Sequence, residues 1–225
     1  ASFLGAVFYL YAPIRFLNVY VSAALGNATA LGFLPFVFWS IVRIVQGKSW
    51  GIAVGAISLA ALITSHNVTA VMFSPLILTF CICLVSQAKN RGNLAKQLAG
   101  MLFLGIGLAA FFWLPALIEK KYIIYQEALP RFWADHFPTL WQLLRSPWGY
   151  GLSNPGLEDG LSFQIGLIHI GVIILLLPAL YFYRKNRELL YLGAFCLGFF
   201  TLSVFFMLEA SSAFWDSLPL LSLVQ

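Results

Sequence analysis

Long stretches without any charged residue run through the whole chain. Lys, Arg, Asp and Glu are absent from residues 16–42, 49–88, 97–118, 160–183 and 189–208. A helix needs about 20 apolar residues to cross the hydrocarbon core of a bilayer. Four of the stretches suit one crossing each, and residues 49–88 could hold two. The pattern therefore predicts an integral membrane protein built from helices.

Turn-forming residues divide the longest stretch. Ser65-His66-Asn67 lies near its centre, and Ser and Asn suit a tight turn and the start of the next helix. We predict an N-terminal half-span at 1–11 followed by about six full spans. The full spans are 26–45, 50–64, 68–86, 97–118, 162–183 and 189–208. The predicted fold class is an all-α polytopic transmembrane bundle. Residues 1–225 form one transmembrane domain, interpreted as a fragment of a longer membrane protein.

Basic residues indicate which connectors face the cytoplasm. Three short connectors carry them: Arg43 and Lys48; Lys89, Arg91 and Lys96; Arg184, Lys185 and Arg187. Lys and Arg in short loops favour the cytoplasmic side. The Ser65-His66-Asn67 turn and a loop at 119–160 then lie outside.

Composition and charge distribution argue against a nucleic-acid partner and favour membrane lipid. The chain is 61% hydrophobic and 9% charged, against about 25% charged residues in soluble domains. A nucleic-acid partner would need a concentrated basic patch, whereas the net charge of +5 is spread along the chain. Cys81, Cys83 and Cys196 lie inside apolar runs, and their spacing predicts no metal site. The expected partner is membrane lipid.

The outer loop is rich in Trp and Tyr and contains a predicted short amphipathic helix at 138–145. Such a helix would lie in the membrane interface rather than cross it. Two interpretations remain open for the loop. Its aromatic residues form a belt that anchors the fold, or they cover a lipid-accessible site, with Trp148 and Tyr150 contacting substrate.

Charged side chains on the outer side are the candidates for chemistry. Arg15, Lys120 and Lys121 could hold a lipid-linked phosphate. The weak candidates for a general base toward a sugar hydroxyl are Glu119, Glu158 and Asp159. The competing interpretation is that these charges only mark helix ends. Arg15 invites an explanation, because a single Arg outside opposes the positive-inside rule.

Histidine and asparagine at the outer turn form a second candidate group. His66 and Asn67 could line the outer mouth of a substrate site, or His66 could cap a helix end. His169 lies within a span, where a helix-packing hydrogen bond is expected. Asn27-Ala28-Thr29 and Asn67-Val68-Thr69 match the glycosylation sequon, but both lie close to the membrane and are interpreted as chance matches.

Three sequence blocks carry a family resemblance. They are residues 10–25 (LYAPIRFLNVYVSAAL), residues 65–70 (SHNVTA), and residues 148–151 with 159–167 (WGYG, then DGLSFQIGL). Together they resemble the bacterial integral-membrane proteins called 6-pyruvoyl-tetrahydropterin synthase-related. That group is similar to the GT-C class of membrane glycosyltransferases. The chain differs from the expected first block at Ser22 and Asn27, where an Arg and an acid are expected.

The resemblance implies a function in cell-envelope glycan assembly. GT-C enzymes take sugars from polyprenyl-phosphate donors on the outer face, and a carboxylate in their first outer loop usually carries catalysis. This chain is expected to begin after that loop. The implied location is the bacterial cytoplasmic membrane. In this interpretation Arg15, with Lys120 or Lys121, would hold the phosphate, and His66 and Asn67 would line the outer mouth. Tyr20 is a further substrate-binding candidate. A divalent metal is an expectation by analogy alone. The alternative is a non-catalytic scaffold or lipid-carrier translocase.

Overall fold

The computed structural model describes residues 2–119, 122, 136–154 and 160–217. Within those ranges the chain is helical and contains no strand. Its helices are α1 Ser2–Leu10, α2 Pro13–Phe16, α3 Leu25–Val45, α4 Trp50–Ser65, α5 Asn67–Gln87, α6 Arg91–Leu108, α7 Ala110–Glu119, α8 Leu140–Leu144, α9 Leu167–Phe182, α10 Arg187–Met207 and α11 Ser212–Ser217. A π-helical segment, Leu17–Val21, continues α2. The predicted all-α fold class is confirmed.

The helices belong to two compact units. The central unit comprises Ala24–Tyr125, and the flanking unit comprises Ala1–Ala23 and Gln126–Leu223. The central unit has a buried core formed by α3, α4, α5 and α6. Its fully or nearly buried side chains are Ala30, Leu34, Val37, Ile41, Ile44, Leu59, Leu62, Ile77, Cys81, Leu94, Leu98 and Met101. The α3 members recur every three or four residues, which places them on one face of that helix.

Three helices are long and apolar enough to cross a membrane: Leu25–Val45, Asn67–Gln87 and Arg187–Met207. Each coincides with a predicted span. Two further candidates are helix pairs bent at a short break, α1 with Pro13–Val21 and α6 with α7. The apolar helices α4 and α9 have 16 residues each, short of the length that spans a bilayer without thinning it.

Proline inside α5 is accommodated by a neighbouring hydroxyl. Pro75 has no N–H, so the carbonyl of Val71 loses its helical donor. The Ser74 hydroxyl donates to that carbonyl oxygen at 2.7 Å. Polar groups inside lipid must be satisfied within the protein, and this bond meets the requirement without breaking α5.

The predicted span at 97–118 forms as two helices, because the chain bends by 63° between α6 and α7. A single crossing here stays a prediction. Ala109 lies at the break, and the Ile106 carbonyl beside it accepts a hydrogen bond from the indole Nε1–H of Trp113 at 2.9 Å. A side chain inserted into the hydrogen-bond ladder is an established cause of a sharp kink. The indole therefore satisfies a carbonyl at the bend.

The predicted half-span at 1–11 also needs correction. Helix α1 ends at Leu10, but helical backbone resumes at Pro13 and runs to Val21, with a bend of 48° between the two segments. Proline suits the first turn of a helix, where its missing N–H is no loss. The bent pair together is long enough for one crossing. Arg15 thus lies within a candidate span rather than after one.

The predicted short helix at 138–145 forms, with narrower bounds, as α8. Thr139 and Gln142 make a reciprocal capping box: the Thr139 hydroxyl accepts from the Gln142 N–H, and the Gln142 side chain accepts from the Thr139 N–H. Such a box fixes the start of a helix. Leu143 is buried, whereas Leu140 and Trp141 are exposed, so α8 presents an apolar surface.

Candidate functional site

Arg15 is the charged residue of the bent pair Phe3–Val21. Its guanidinium lies over the ring of Tyr9, with Cζ 4.9 Å from the ring centroid. One terminal nitrogen, Nη1, is buried without a hydrogen-bond partner among the described residues. A guanidinium in a candidate membrane span is costly unless its N–H groups are satisfied. Arg15 therefore has one donor nitrogen that no described residue satisfies.

The break that precedes the Arg15 helix is held against the start of α9. His169 Nε2 lies 3.0 Å from the carbonyl oxygen of Phe8, one of the carbonyls that the end of α1 leaves unsatisfied. The ring of Pro13 approaches Gly166 closely: a β-carbon on Gly166 would lie 3.0 Å from Pro13 Cγ. Gly166 also has φ +101°, which favours glycine. The helix-packing role predicted for His169 is confirmed.

The Ser65-His66-Asn67 turn of the central unit holds a compact hydrogen-bond network. The Thr69 hydroxyl lies 2.6 Å from Asn27 Oδ1 and 2.8 Å from His66 Nδ1. The Thr69 N–H donates to the same Nδ1 at 3.2 Å. Thr69 is almost fully buried, and His66 is half-buried. We call Asn27, His66 and Thr69 the turn cluster.

The bonds of the turn cluster fix the form of its histidine. Because His66 Nδ1 accepts a backbone N–H, that nitrogen carries no proton, and the neutral ring is protonated at Nε2. His66 is the N-cap of α5, so the capping role weighed from sequence is confirmed. In this tautomer the Nε2–H is the remaining donor of the ring.

Close backbone approach brings the start of α3 to this turn. A β-carbon on Gly26 would lie 2.7 Å from the Ser65 carbonyl oxygen and 3.7 Å from His66 Cδ2. Only a residue without a β-carbon allows Asn27 to reach Thr69 at this separation. Asn67 is exposed, and its side chain accepts from the Val68 N–H at 2.9 Å, so it is adjacent to the cluster without joining it.

A pair of aromatic residues follows α8. Trp148 and Tyr150 are exposed, by 43% and 77% of their surface. Behind them two short segments pair through backbone bonds: the Gly151 N–H donates to Gly160 O at 2.8 Å, and the Gly160 N–H donates to Leu152 O at 3.1 Å. The two exposed rings therefore stand on a backbone that is closed into a loop.

The other predicted site residues divide into those that are described and those that are not. Tyr20 is 69% exposed and stacks on Phe16 at 6.1 Å. Glu119 is exposed at the end of α7. Lys120, Lys121, Glu158 and Asp159 lie outside the described residues. Arg15, Tyr20, Trp148 and Tyr150 belong to the flanking unit, and His66 and Asn67 belong to the central unit.

Sequence reasoning missed Asn27 and Thr69 as members of a cluster. The signal was present, because each belongs to one of the two sequon matches interpreted as chance. The asparagine of the first match bonds the threonine of the second. Residues 42 positions apart give no local periodicity that would pair them, so only tertiary packing reveals the contact.

Comparison with known proteins adds one relative. The chain is 30% identical over 132 residues to an uncharacterized protein of Lactococcus lactis subsp. cremoris (strain MG1363); the match covers 54% of this chain and 20% of that protein. The chain thus spans about a fifth of its relative's length. No family model matches, and no solved structure matches. Among the described residues, no three His, Cys, Asp or Glu side chains group as metal ligands.

Proposed function

We propose that this chain is part of a GT-C-like membrane protein that handles polyprenyl-phosphate-linked sugars on the outer face of the bacterial cytoplasmic membrane. Arg15 supports the proposal most strongly. Its Nη1 is buried without a partner among the described residues, in the first turn of the second helix of a bent apolar pair. A guanidinium binds phosphate oxygens through charge-assisted hydrogen bonds, often two at once. A lipid-linked phosphate would supply such an acceptor to a guanidinium that lies within a membrane segment.

The proposed topology has six full crossings, with the N-terminal bent pair as a further membrane segment. Helices α3, α5 and α10 have the length and apolarity of spans. The remaining crossings would be α4, the bent pair α6–α7, and α9. Short apolar helices can cross where the bilayer thins locally or flanking side chains reach the interface. Residues 119–160, with the apolar surface of α8, would then lie at the outer interface.

The chemistry that we propose is sugar transfer from the phosphate to an acceptor hydroxyl. The hydroxyl oxygen bonds to the anomeric carbon, and the bond from that carbon to the phosphate oxygen breaks. The electron pair remains on the polyprenyl phosphate, and the hydroxyl proton passes to a carboxylate base. Arg15 would stabilise the negative charge that grows on the departing phosphate. The base candidates Glu119, Glu158 and Asp159, and the other substrate contacts, stay predictions.

An assay of polyprenyl-phosphate release tests the proposal without knowing the acceptor. The full-length protein in proteoliposomes is given radiolabelled polyprenyl-phosphate hexoses. Arg15→Ala should lower kcat/KM by about 10- to 100-fold, because hydrogen bonds to a charged group contribute roughly 1.5–3 kcal/mol. Arg15→Lys should recover part of the loss, since it keeps the charge without the planar fork.

Arg43 provides the matched control. Its guanidinium also lies over an aromatic ring, that of Trp39 at 5.3 Å, and its Nε is likewise buried without a partner among the described residues. Arg43 lies in the last turn of α3, at the end predicted to face the cytoplasm. Arg43→Ala should leave release unchanged. Release that is equally fast in Arg15→Ala and in the unaltered protein would remove Arg15 from the mechanism.

A non-catalytic scaffold or lipid-carrier translocase is the second candidate. It is favoured by the exposure of the four described carboxylates, on Glu119, Glu188, Glu209 and Asp216. A general base with a raised affinity for protons usually lies in a partly buried site. Retention of polyprenyl phosphate that depends on Arg15, without any sugar release, would select this alternative over the enzyme.

A further inference from the structure

An apolar groove runs along α10 in the flanking unit. It has a volume of about 680 Å³ and is lined by Leu180 of α9 with Ala194, Leu197, Gly198, Leu202 and Phe205 of α10. Thr201 also lines it, but its hydroxyl donates to the Leu197 carbonyl at 2.9 Å. The groove therefore presents no unsatisfied side-chain polar group. It is open along its length, and only 6% of the span window of α10 is buried.

Two small residues on α10 leave the space that forms the groove. Gly193 accommodates the side chain of Leu180, which joins α9 to α10. Gly198 is exposed, and a β-carbon placed on it would meet no other atom within 4 Å. A groove of this kind on a membrane-facing helix accepts either a lipid chain or another helix.

Positive charges lie at one end of the same helix. Arg184, Lys185 and Arg187 are exposed in and beside the turn between α9 and α10. Arg184 lies over the ring of Tyr181, with Cζ 4.6 Å from its centroid, which limits the directions in which its guanidinium can extend. We call Arg184, Lys185 and Arg187 the basic turn.

Helix geometry aligns the basic turn with the groove. Arg187, Ala194 and Thr201 are spaced seven residues apart, and seven residues turn an α-helix through about 700°, close to two full turns. Arg187 therefore lies on the groove face, about 10 Å along the axis from Ala194. The long side chains of Arg and Lys can cover much of that distance.

We propose that this surface is a binding site for one anionic phospholipid. The basic turn would hold the phosphate headgroup, and the groove would hold an acyl chain. Clusters of Lys and Arg at the cytoplasmic end of membrane helices attract anionic headgroups. This inference goes beyond sugar transfer and does not depend on it, because it uses neither Arg15 nor the turn cluster.

A second copy of the chain is a poorer occupant than a lipid. Two copies packed through this face about a two-fold axis along the membrane normal would place their basic turns side by side. Like charges at that distance oppose association. An anionic headgroup complements the same charges, so charge favours the lipid.

Native mass spectrometry of the full-length protein tests the site. The protein is mixed with phosphatidylglycerol and phosphatidylcholine of identical acyl chains, and the retained lipids are counted. We expect preferential retention of phosphatidylglycerol. Changing Arg184, Lys185 and Arg187 together to Gln should weaken that retention by about tenfold, because each juxtamembrane cation adds to the attraction. Gly198→Leu should weaken retention of both lipids at this site by filling the groove.

Two variants serve as controls. Gly171→Leu fills open space on α9 outside the groove and should retain phosphatidylglycerol normally. Changing Lys89, Arg91 and Lys96 to Gln removes the same charge from another connector and should also have no effect. Equal loss in both triple variants would show general surface attraction and overturn the proposal. Normal lipid retention by Gly198→Leu, or a dimer that this substitution abolishes, would overturn it as well.

Discussion

A single hydroxyl, that of Thr69, ties the first turn of α3 to the start of α5. It lies 2.6 Å from Asn27 Oδ1 and 2.8 Å from His66 Nδ1, and its one proton cannot be donated to both. Turning the Asn27 amide so that its NH2 group donates to the hydroxyl frees that proton for His66, whose single Nδ1 lone pair the hydroxyl then shares with the Thr69 N–H. Because Thr69 is buried, water cannot replace a bond that is lost.

Replacing Thr69 with Val tests this network. The side chain keeps its shape but loses the hydroxyl, so Asn27 and His66 each lose a partner. We expect a loss of about 1–2 kcal/mol in the free energy of unfolding, measured by denaturant titration in detergent micelles. Thr69→Ser should behave like the unaltered protein. Thr79→Val is the comparison, since the Thr79 hydroxyl bonds only the carbonyls of its own helix; an equal loss there would contradict a special role for Thr69.

The sequence identifies Arg15 as unusual but does not show its contacts. Its isolation among apolar neighbours is visible in the sequence and identified it as a candidate. The stacking on Tyr9 and the unpartnered Nη1 depend on a bend that the sequence did not predict. A one-dimensional pattern can flag an unusual charge but cannot say which of its N–H groups is satisfied.

Among the elements, α4 and α6 pack closely because glycine allows their backbones to approach. A β-carbon on Gly105 of α6 would lie 2.9 Å from Leu59 Cβ and 3.0 Å from the Ala56 carbonyl oxygen, both on α4. Small residues at membrane helix interfaces permit this approach and the dispersion contacts that follow. The core of the central unit therefore depends on the absence of a side chain at this position.

Alanine at that position should separate the two helices. We expect Gly105→Ala to cost roughly 1–3 kcal/mol, in the range of overpacked cores, measured as a lower melting temperature in detergent. Gly107 is two residues away on α6, and a β-carbon there would meet nothing within 4 Å. Gly107→Ala should be neutral or stabilise the helix by about 0.5–1 kcal/mol. Equal destabilisation by both substitutions would show that the loss of backbone flexibility, rather than packing against α4, lowers the stability.

For the whole molecule, the arrangement in the membrane is the testable property. Single cysteines are introduced into a variant whose native cysteines are removed, and cells are treated with a membrane-impermeant maleimide. With six crossings, Ser65→Cys and Arg145→Cys should react in intact cells. Lys89→Cys and Lys185→Cys should react only after permeabilisation.

The same labelling identifies which helices fail to cross if the proposed topology is wrong. Between residues 89 and 185 lie the bent pair α6–α7 and the short helix α9. If Lys89→Cys and Lys185→Cys were labelled from opposite sides, either the bent pair α6–α7 or α9 would not cross the membrane. The 16-residue helix α4 separates Lys48 from the turn at Ser65. Labelling of Lys48→Cys and Ser65→Cys from opposite sides would therefore show that α4 crosses.

Charge spacing alone determined that the chain is helical and contains membrane-length apolar segments. That signal is local, because each apolar segment must satisfy its own backbone hydrogen bonds as a helix. The sequence also predicted the turn at Ser65-His66-Asn67, since a turn or a helix cap depends on neighbouring residues. Tertiary structure alone decided the bends beside Ala109 and Pro13, the turn cluster and the groove on α10. Each of these depends on which distant groups meet, and sequence periodicity carries no information about that.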